Sequence, residues 1–540
     1  MESRTAPPNH AHRAHAPHDH VSPPMALDGN AFRAAGHALV DRIADFLDGV
    51  GDARITPGLV PRGVRAMLPQ GGMPAQGADP SALLQEAASL LFRASTLNAS
   101  PRFFGYIIGC PSPAGALAEM LAATVNPNVG AWALSPAATE IEAQSIRWLA
   151  ELVGFPRDCG GLLVSGGNMA NMVCFFAALR AAVPWDVRTH GIAPGAAERN
   201  ASDDATRGAA HETRTESPHH APRPVVYASE ETHTWVQKAA DLSGIGLDAI
   251  RWIATDASYR MDVAALRQAI ARDRAEGAGV LPAMVIGTAG SVSTGAIDPL
   301  REIAALCRAE KLWLHVDGAY GAPAAMLPDA PEDLKALALG DSLALDPHKW
   351  LYAPLEAGCA LVRDAEALHG AYAFHPPYYR FEEVDGEPPL NYHEWGPQNS
   401  RGFRALKVWL GLRQAGRRGY ERMIAHDIAI ARALHQAVAA HGELQPLTQS
   451  LSITTFRYVP PALRQDAEQG GAHAELDALN AELLARLQDA GRVFLSNAVL
   501  DGRFALRACV VNFRTRAEDV PVVVDEVVRL GRELASAPTP

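Results

Sequence analysis

Lys349 follows His348 in Asp346-Pro347-His348-Lys349-Trp350, at the end of the short apolar run Ser342 to Leu345. A primary amine delivered by the end of a buried strand can form a Schiff base with a carbonyl cofactor. Upstream, Leu312-Trp313-Leu314-His315-Val316-Asp317-Gly318-Ala319-Tyr320 reads as a buried strand that carries an aspartate to its C-terminal end, where open α/β sheets place their ligands. A lysine for an aldehyde carbon and a buried carboxylate for a ring nitrogen are the equipment of pyridoxal phosphate chemistry. The carboxylate keeps the pyridine protonated, so that the ring accepts the electrons of a carbanion. Taken singly, Asp317 could be a turn carboxylate and Lys349 a surface lysine. Neither explanation accounts for an ionisable residue closing each of two strongly apolar strands.

Three further segments join this pair. Gly161 to Asn171 couples a strand to a helix through Ser165, Gly166, Gly167 and Asn168, and backbone N–H groups at such a helix start hold a phosphate. A tight turn needs glycine in any case, so this segment counts only in company. Thr232-His233-Thr234-Trp235 follows the expected strand Val225 to Ala228 and presents an imidazole that can stack on a pyridine ring. Thr288-Ala289-Gly290-Ser291 ends another strand and offers hydroxyls, through Ser291, to a phosphate or ring oxygen, although a plain turn explains it nearly as well.

The elements that must position these residues alternate apolar strands with helices from about Cys110 to Arg404, the signature of a mostly parallel sheet covered on both faces. The expected strands are 161–164, 225–228, 283–288, 312–317, 342–346 and 358–362. Residues 28–112 read as an N-terminal helical arm, with helices over 30–50 and 81–96, each with one apolar face to bury against a second subunit. Residues 113–406 form the large cofactor-binding domain. Residues 407–540 form a small α+β domain, with helices over 420–441, 475–490 and 520–534 and strands over 452–458, 494–496 and 505–511. Residues 1–27 hold five histidines among prolines and alanines, and residues 184–224 lack apolar periodicity; both are expected to be disordered.

The 540 residues are 48% hydrophobic and 20% charged, ordinary for a globular enzyme, and carry a formal net charge of −12. That charge offers no footprint for nucleic acid or an anionic membrane and points to a small-molecule substrate. Six cysteines without CxxC spacing argue against a disulfide framework and against a metal site. No stretch reaches the roughly 18 apolar residues of a membrane span, and the His- and Pro-rich start is no signal core, so the expected location is cytoplasmic.

The chain resembles the group II pyridoxal-phosphate decarboxylases, the family of aromatic-L-amino-acid decarboxylase, with glutamate and histidine decarboxylases as further relatives. The resemblance runs from about Asn30 to Leu534. It is carried by Pro101-Arg102-Phe103-Phe104-Gly105-Tyr106, Ser135-Pro136-Ala137-Ala138-Thr139-Glu140-Ile141-Glu142, His233, His315-Val316-Asp317-Gly318-Ala319-Tyr320 and Pro347-His348-Lys349-Trp350. It implies a fold type I homodimer with active sites at the subunit interface. Lys349 then bonds pyridoxal 5'-phosphate, Asp317 pairs with the ring nitrogen, His233 and Ala319 sandwich the ring, and Gly167, Asn168, Ser291 and His348 lie around the phosphate or ring. The family also carries a loop tyrosine that protonates the substrate α-carbon. Counting from Lys349 places Tyr378 there, with Tyr379 the adjacent alternative. Phenylalanine at that place diverts close relatives to aldehyde formation, so Tyr378 argues for plain decarboxylation.

Departures from the family pattern bear on the substrate. Asp346 replaces the Asn of animal aromatic decarboxylases and, as an anion, is left out of the phosphate ligands. Gly109 and Gly130 stand in for larger residues and predict extra room. Trp132 and Tyr106 offer aromatic walls, and Ser400 falls where plant relatives with serine favour phenolic substrates. An aromatic amino acid of the Tyr, DOPA, Trp or Phe type fits best. The alternatives are a decarboxylase of glutamate, histidine or diaminobutyrate type, or an aldehyde synthase, aminotransferase or lyase on the same fold. A cofactor-binding regulator lacks support, because the helical arm has no basic recognition helix.

Overall fold

The computed structural model describes residues 23–192, 222–375 and 389–536. Most of the expected tail and of the expected insertion, and Tyr378, lie outside the described residues. At the edges of that insertion the reading is corrected. Val187–His190 is a short helix capped by Asp186, and Arg223 and Pro224 already pair with Val280 and Leu281 in the central sheet.

Two compact units divide the chain, one of residues up to Val50 with Leu59–Ser95, the other of Gly51–Gly58 with Thr96 onward. The first holds α1 (Gly29–Gly49), α2 (Pro61–Met67) and α3 (Pro80–Ala94). Asp28 accepts the N–H groups of Asn30 and Ala31, and Asp79 that of Ala82, which fixes where α1 and α3 begin. Phe46 stacks on Phe92 at 4.3 Å, and Arg42 donates to Gln85 and Ser89. Phe32, Val40, Ile43, Leu83 and Leu91 remain exposed.

The expected arm boundary at 112 differs from this division because residues 97–112 are stitched to the C-terminal part. Phe103 stacks on Phe494 at 4.9 Å, Phe104 N donates to Phe494 O, and Cys110 N donates to Val511 O. No break falls at 407 either. One helix, Ala405–Ala440, contacts α4 (Pro113–Val125) and α5 (Pro136–Leu152) of the large part as well as the C-terminal sheet. It is kinked at Gly416 (φ 60°, ψ 169°), shortly before residue 420, where the sequence predicts a helix to begin.

The central sheet has seven strands in the order β1 (Gly160–Val164), β7 (Gly358–Val362), β6 (Ser342–Leu345), β5 (Trp313–Asp317), β4 (Val280–Thr288), β2 (Arg223–Ser229) and β3 (Ile250–Ile253). Pairings from β6 to β3 are parallel, and β7 runs antiparallel to both of its neighbours. Every residue of β1, β6 and β7 is buried, as expected of strands covered on both faces. The helix α6 (Gly167–Ala182) packs over β1 and β4 to β7. The sequence reading missed β3, a four-residue edge strand with Trp252 exposed, too short and mixed to show a period. It also missed β8 (Leu444–Ser450), a polar edge strand of which only Leu444 is buried. The C-terminal sheet is antiparallel in the order β10 (Ser496–Leu500), β11 (Arg503–Cys509), β9 (Ile453–Tyr458), β8, and the helices His473–Ala490 and Asp519–Ser536 pack on it.

At the start of β7 the backbone of Gly358 lies against that of Gly166. A Cβ on Gly358 would stand 2.4 Å from the carbonyl carbon of Gly166. Gly358→Ala should therefore cost about 1–3 kcal/mol of stability through overpacking, read as a lower denaturant midpoint with unchanged slope.

Candidate active site

Because β7 is antiparallel to both β1 and β6, β1 points the same way as β6, and the C-terminal ends of β1, β2, β4, β5 and β6 share one sheet edge. The turn after β1 carries Gly166 and Gly167, β6 leads to Lys349, β5 ends on Asp317, β4 leads to Ser291 and β2 to His233. This is the crevice in which an open α/β sheet binds its ligand.

Lys349 Nζ lies 2.9 Å from Asp346 Oδ2. Burial alone would lower its pKa, but Asp346, with help from Asp317, more than reverses this and holds the ammonium above the ordinary lysine value. His348 Nδ1 meets Ala357 O at 2.8 Å, and burial lowers its pKa. A Cβ on Gly166 would come within 3.0 Å of His348 Cε1, and one on Gly167 within 2.5 Å of Asp346 Oδ2 and 3.1 Å of Ala319 Cβ. Gly166 (φ 112°), Gly167, Ala319, Asp346, His348 and Lys349 are thus one cluster around the first turn of α6.

Asp317 is 7% exposed. Its Oδ2 accepts the indole N–H of Trp235 at 2.7 Å and its Oδ1 the N–H of Ala319 at 3.1 Å. Beneath it, His315 is clamped between Asn171 Oδ1 (2.8 Å) and Ser342 Oγ (2.9 Å), and burial lowers its pKa to about 4, so this imidazole is neutral and structural. His233 Nδ1 accepts the Trp235 N–H at 3.2 Å, leaving Nε2 free of that bond. Its pKa is lowered, mainly by burial, while Asp317 opposes that shift and Lys349 adds to it.

The cluster fits a pyridoxal phosphate. A lysine amine, a fixed carboxylate and a glycine cradle at a helix start adjoin, and Thr288 Oγ1 at the same edge is buried with no partner among the described residues. Ser291 is committed locally, its Oγ 2.9 Å from Thr294 Oγ1. Asn168 is exposed on the first turn of α6.

Two expectations about the pocket are corrected. Gly109 and Gly130 do not open space. A Cβ on Gly109 would stand 2.1 Å from Lys349 O, and one on Gly130 2.2 Å from Asn399 O, so each glycine admits a neighbouring backbone. Gly109 therefore supports the lysine turn. Tyr106 is exposed and has a left-handed backbone (φ 53°), its ring tilted against Phe494. Trp132 is half-buried, with Nε1 donating to Glu140 at 3.0 Å, and Ser400 is exposed.

What joins these last two is a buried ion pair of which the sequence reading quoted only one member, Glu142, as part of a motif. Arg401 Nη2 lies 2.5 Å from Glu142 Oε1, both side chains nearly inaccessible. Arg401 also donates to Val129 O and Leu163 O, and Glu142 accepts Leu163 N. The segments bearing Trp132 and Ser400 are thereby tied to β1. Trp235 was likewise visible next to His233, but nothing in a sequence tells an indole that packs from one that donates to a carboxylate.

Trp235→Phe keeps the packing and removes the donor to Asp317. Losing a hydrogen bond to a charged group costs about 1.5–3 kcal/mol, so cofactor affinity measured by equilibrium dialysis should fall about tenfold or more. Unchanged affinity would contradict this role for the indole.

Known proteins resemble this chain in sequence and in fold. The model of the pyridoxal-dependent decarboxylase conserved domain matches residues 61–194 and 201–459. The aromatic-L-amino-acid decarboxylase of Bacillus atrophaeus is 31% identical over 516 residues, covering 95% of this chain and 98% of its own. Phenylacetaldehyde synthase of Petunia hybrida is 28% identical, covering 90% and 91%. The crystal structure of Oryza sativa TDC with PLP and tryptamine superposes with a TM-score of 0.81 at 27% identity, over 94% of this chain and 99% of that one. With a lysine, an aspartate and a glycine turn gathered at one sheet edge, the chain belongs to the pyridoxal-dependent decarboxylase family, and is a PLP-dependent amino-acid decarboxylase of fold type I.

Proposed function

We propose that this protein removes the α-carboxyl group of an aromatic L-amino acid as carbon dioxide and releases the amine, working as a homodimer. The observation that carries the reading is Lys349 at the end of β6 beside Asp317 at the end of β5, in a chain similar over nearly its whole length to an aromatic-L-amino-acid decarboxylase. When bound, pyridoxal phosphate supplies the electron sink for the carbanion left by carbon dioxide. Lys349 is its attachment point and Asp317, fixed by Trp235, holds the proton of the ring nitrogen. The first turn of α6 with Gly167 and Asn168, together with Ser291 and His348, serves the phosphate side, and His233 and Ala319 flank the ring. Tyr378 delivers the proton to the substrate α-carbon. Tyr106, Trp132 and Ser400 are the side-chain candidates for recognising the substrate.

A second copy of the chain is supported by α4, where Leu117, Leu121 and Val125 repeat every four residues and all stand open to solvent, with Met120 and nearby Leu134 also exposed. Free thiols at all six cysteines support a cytoplasmic location, and among the described residues no helix is long and apolar enough to cross a membrane.

One observation favours a second reading, an acidic substrate. Arg507 is 2% exposed, and its Nη1 donates to Tyr106 O and Ser496 Oγ. Its Nε and Nη2 have no acceptor among the described residues, a guanidinium able to take a carboxylate.

The test is turnover with added pyridoxal phosphate on Tyr, DOPA, Trp, 5-hydroxytryptophan, Phe, His and Glu, following amine, carbon dioxide and peroxide together. The expected result is amine and carbon dioxide in equal amounts from an aromatic substrate, without peroxide; preferred turnover of Glu would establish the second reading. Tyr378→Phe should lower amine formation about 10²–10⁴-fold, the contribution of a positioned general acid, and divert product toward aldehyde and peroxide. Leu121→Glu should shift the particle from dimer to monomer in light scattering and lower activity with it.

A further inference from the structure

Asp346 follows directly on β6 with its carboxyl 1% exposed. Lys349 Nζ is 2.9 Å from Oδ2 and His348 Nε2 3.8 Å, and beyond these contacts neither oxygen has a hydrogen-bond donor among the described residues. The same Oδ2 lies 2.5 Å from the place a Cβ would take on Gly167, at the first turn of α6. It is therefore close to the backbone N–H groups that can hold a phosphate.

This placement creates two difficulties when cofactor is captured. Lys349 must lose its proton, because only a neutral amine attacks a carbonyl carbon, and a buried carboxylate that loses its cationic partner is left uncompensated. A phosphate at the start of α6 would in addition face a like charge. One proton transfer removes both. An N–H bond of Lys349 breaks, an O–H bond forms on Asp346 Oδ2, and the pair passes from one positive and one negative charge to two neutral groups.

We propose that Asp346 is the proton-accepting partner of Lys349, taking the lysine's proton during cofactor capture and then facing the phosphate as a neutral carboxyl donor. The inference deepens the reading of Lys349 as the attachment residue and rests on it. The other charged or titratable groups acting on the pair are Asp317 from β5, His348 in the same turn, His233 beyond β2, Cys359 from β7 and Cys509 from β11, with Lys407 acting on His348. Asp346 opposes burial at Lys349 more strongly than Asp317 does, so its removal lets burial lower the lysine's pKa.

The test strips the full-length protein of cofactor, adds pyridoxal phosphate from mildly acid to mildly alkaline pH, and follows capture by the growth of the bound cofactor's absorbance. In the wild type the proton stays within the pair, so capture changes little with pH across this range. In D346N the proton must leave for solvent, so capture should become pH-dependent, about tenfold slower for each pH unit below the lysine's pKa. Identical profiles in the two proteins overturn the proposal. Should D346N fail to fold, the wild type decides. Its infrared difference spectrum, loaded minus stripped, with isotope-labelled aspartate, should gain the C=O stretch of a protonated carboxyl, and absence of that band overturns the proposal. K349A separates the two layers. A borohydride-stable adduct surviving in K349A overturns the attachment reading itself, whereas attachment lost in K349A with identical wild-type and D346N profiles overturns only the role of Asp346.

Discussion

The site depends on β7 running antiparallel between β1 and β6. Without that inserted strand, β1 and β6 could not be parallel two places apart, and the helix that starts after β1 would not begin beside the lysine that follows β6. The constraint is enforced at the backbone. Gly358 and Gly166 touch where a side chain would not fit, and Gly166 in turn admits His348. A chain with the same chemical residues but a bulkier start to β7 would separate the anion-binding turn from the amine.

On this frame the electrostatics are set by two carboxylates of different character. Asp317 is held by two donors, the Trp235 indole N–H and the Ala319 N–H, which fix its carboxyl at the end of β5. Asp346 relies on Lys349 for its close ionic contact. Unit charges 4 Å apart interact by about 4 kcal/mol at an effective dielectric of 20, enough to outweigh what burial does to the lysine. His315, by contrast, is neutral and wedged by Asn171 and Ser342, and props the strand that ends on Asp317.

The chemistry was legible in the sequence where ionisable residues close apolar strands, because a buried strand has no other reason to end on Asp317 or to lead into Lys349. The parallel sheet was legible for the same reason, each fully buried strand reading as a continuous apolar run. What was hidden depended on distant partners. Gly109 and Gly130 read as vacant space because sequence shows a missing side chain and not the backbone of Lys349 or Asn399 that fills its place. Trp235, Arg401 and Asp346 acquire their roles only through residues 82, 259 and 3 positions away. The last of these was near enough to read but needed the direction of the side chain. The edge strands β3 and β8 were missed because half-exposed short strands carry mixed polarity and no run.

The central claim is that Lys349 is the residue that bonds the cofactor. Reducing the pyridoxal phosphate-loaded protein with borohydride, digesting it and mapping the modified peptide by mass spectrometry tests it most directly. The account predicts the phosphopyridoxyl group on Lys349 in the peptide containing Asp346-Pro347-His348. Finding it on another lysine, with Lys349 unmodified, would contradict the account.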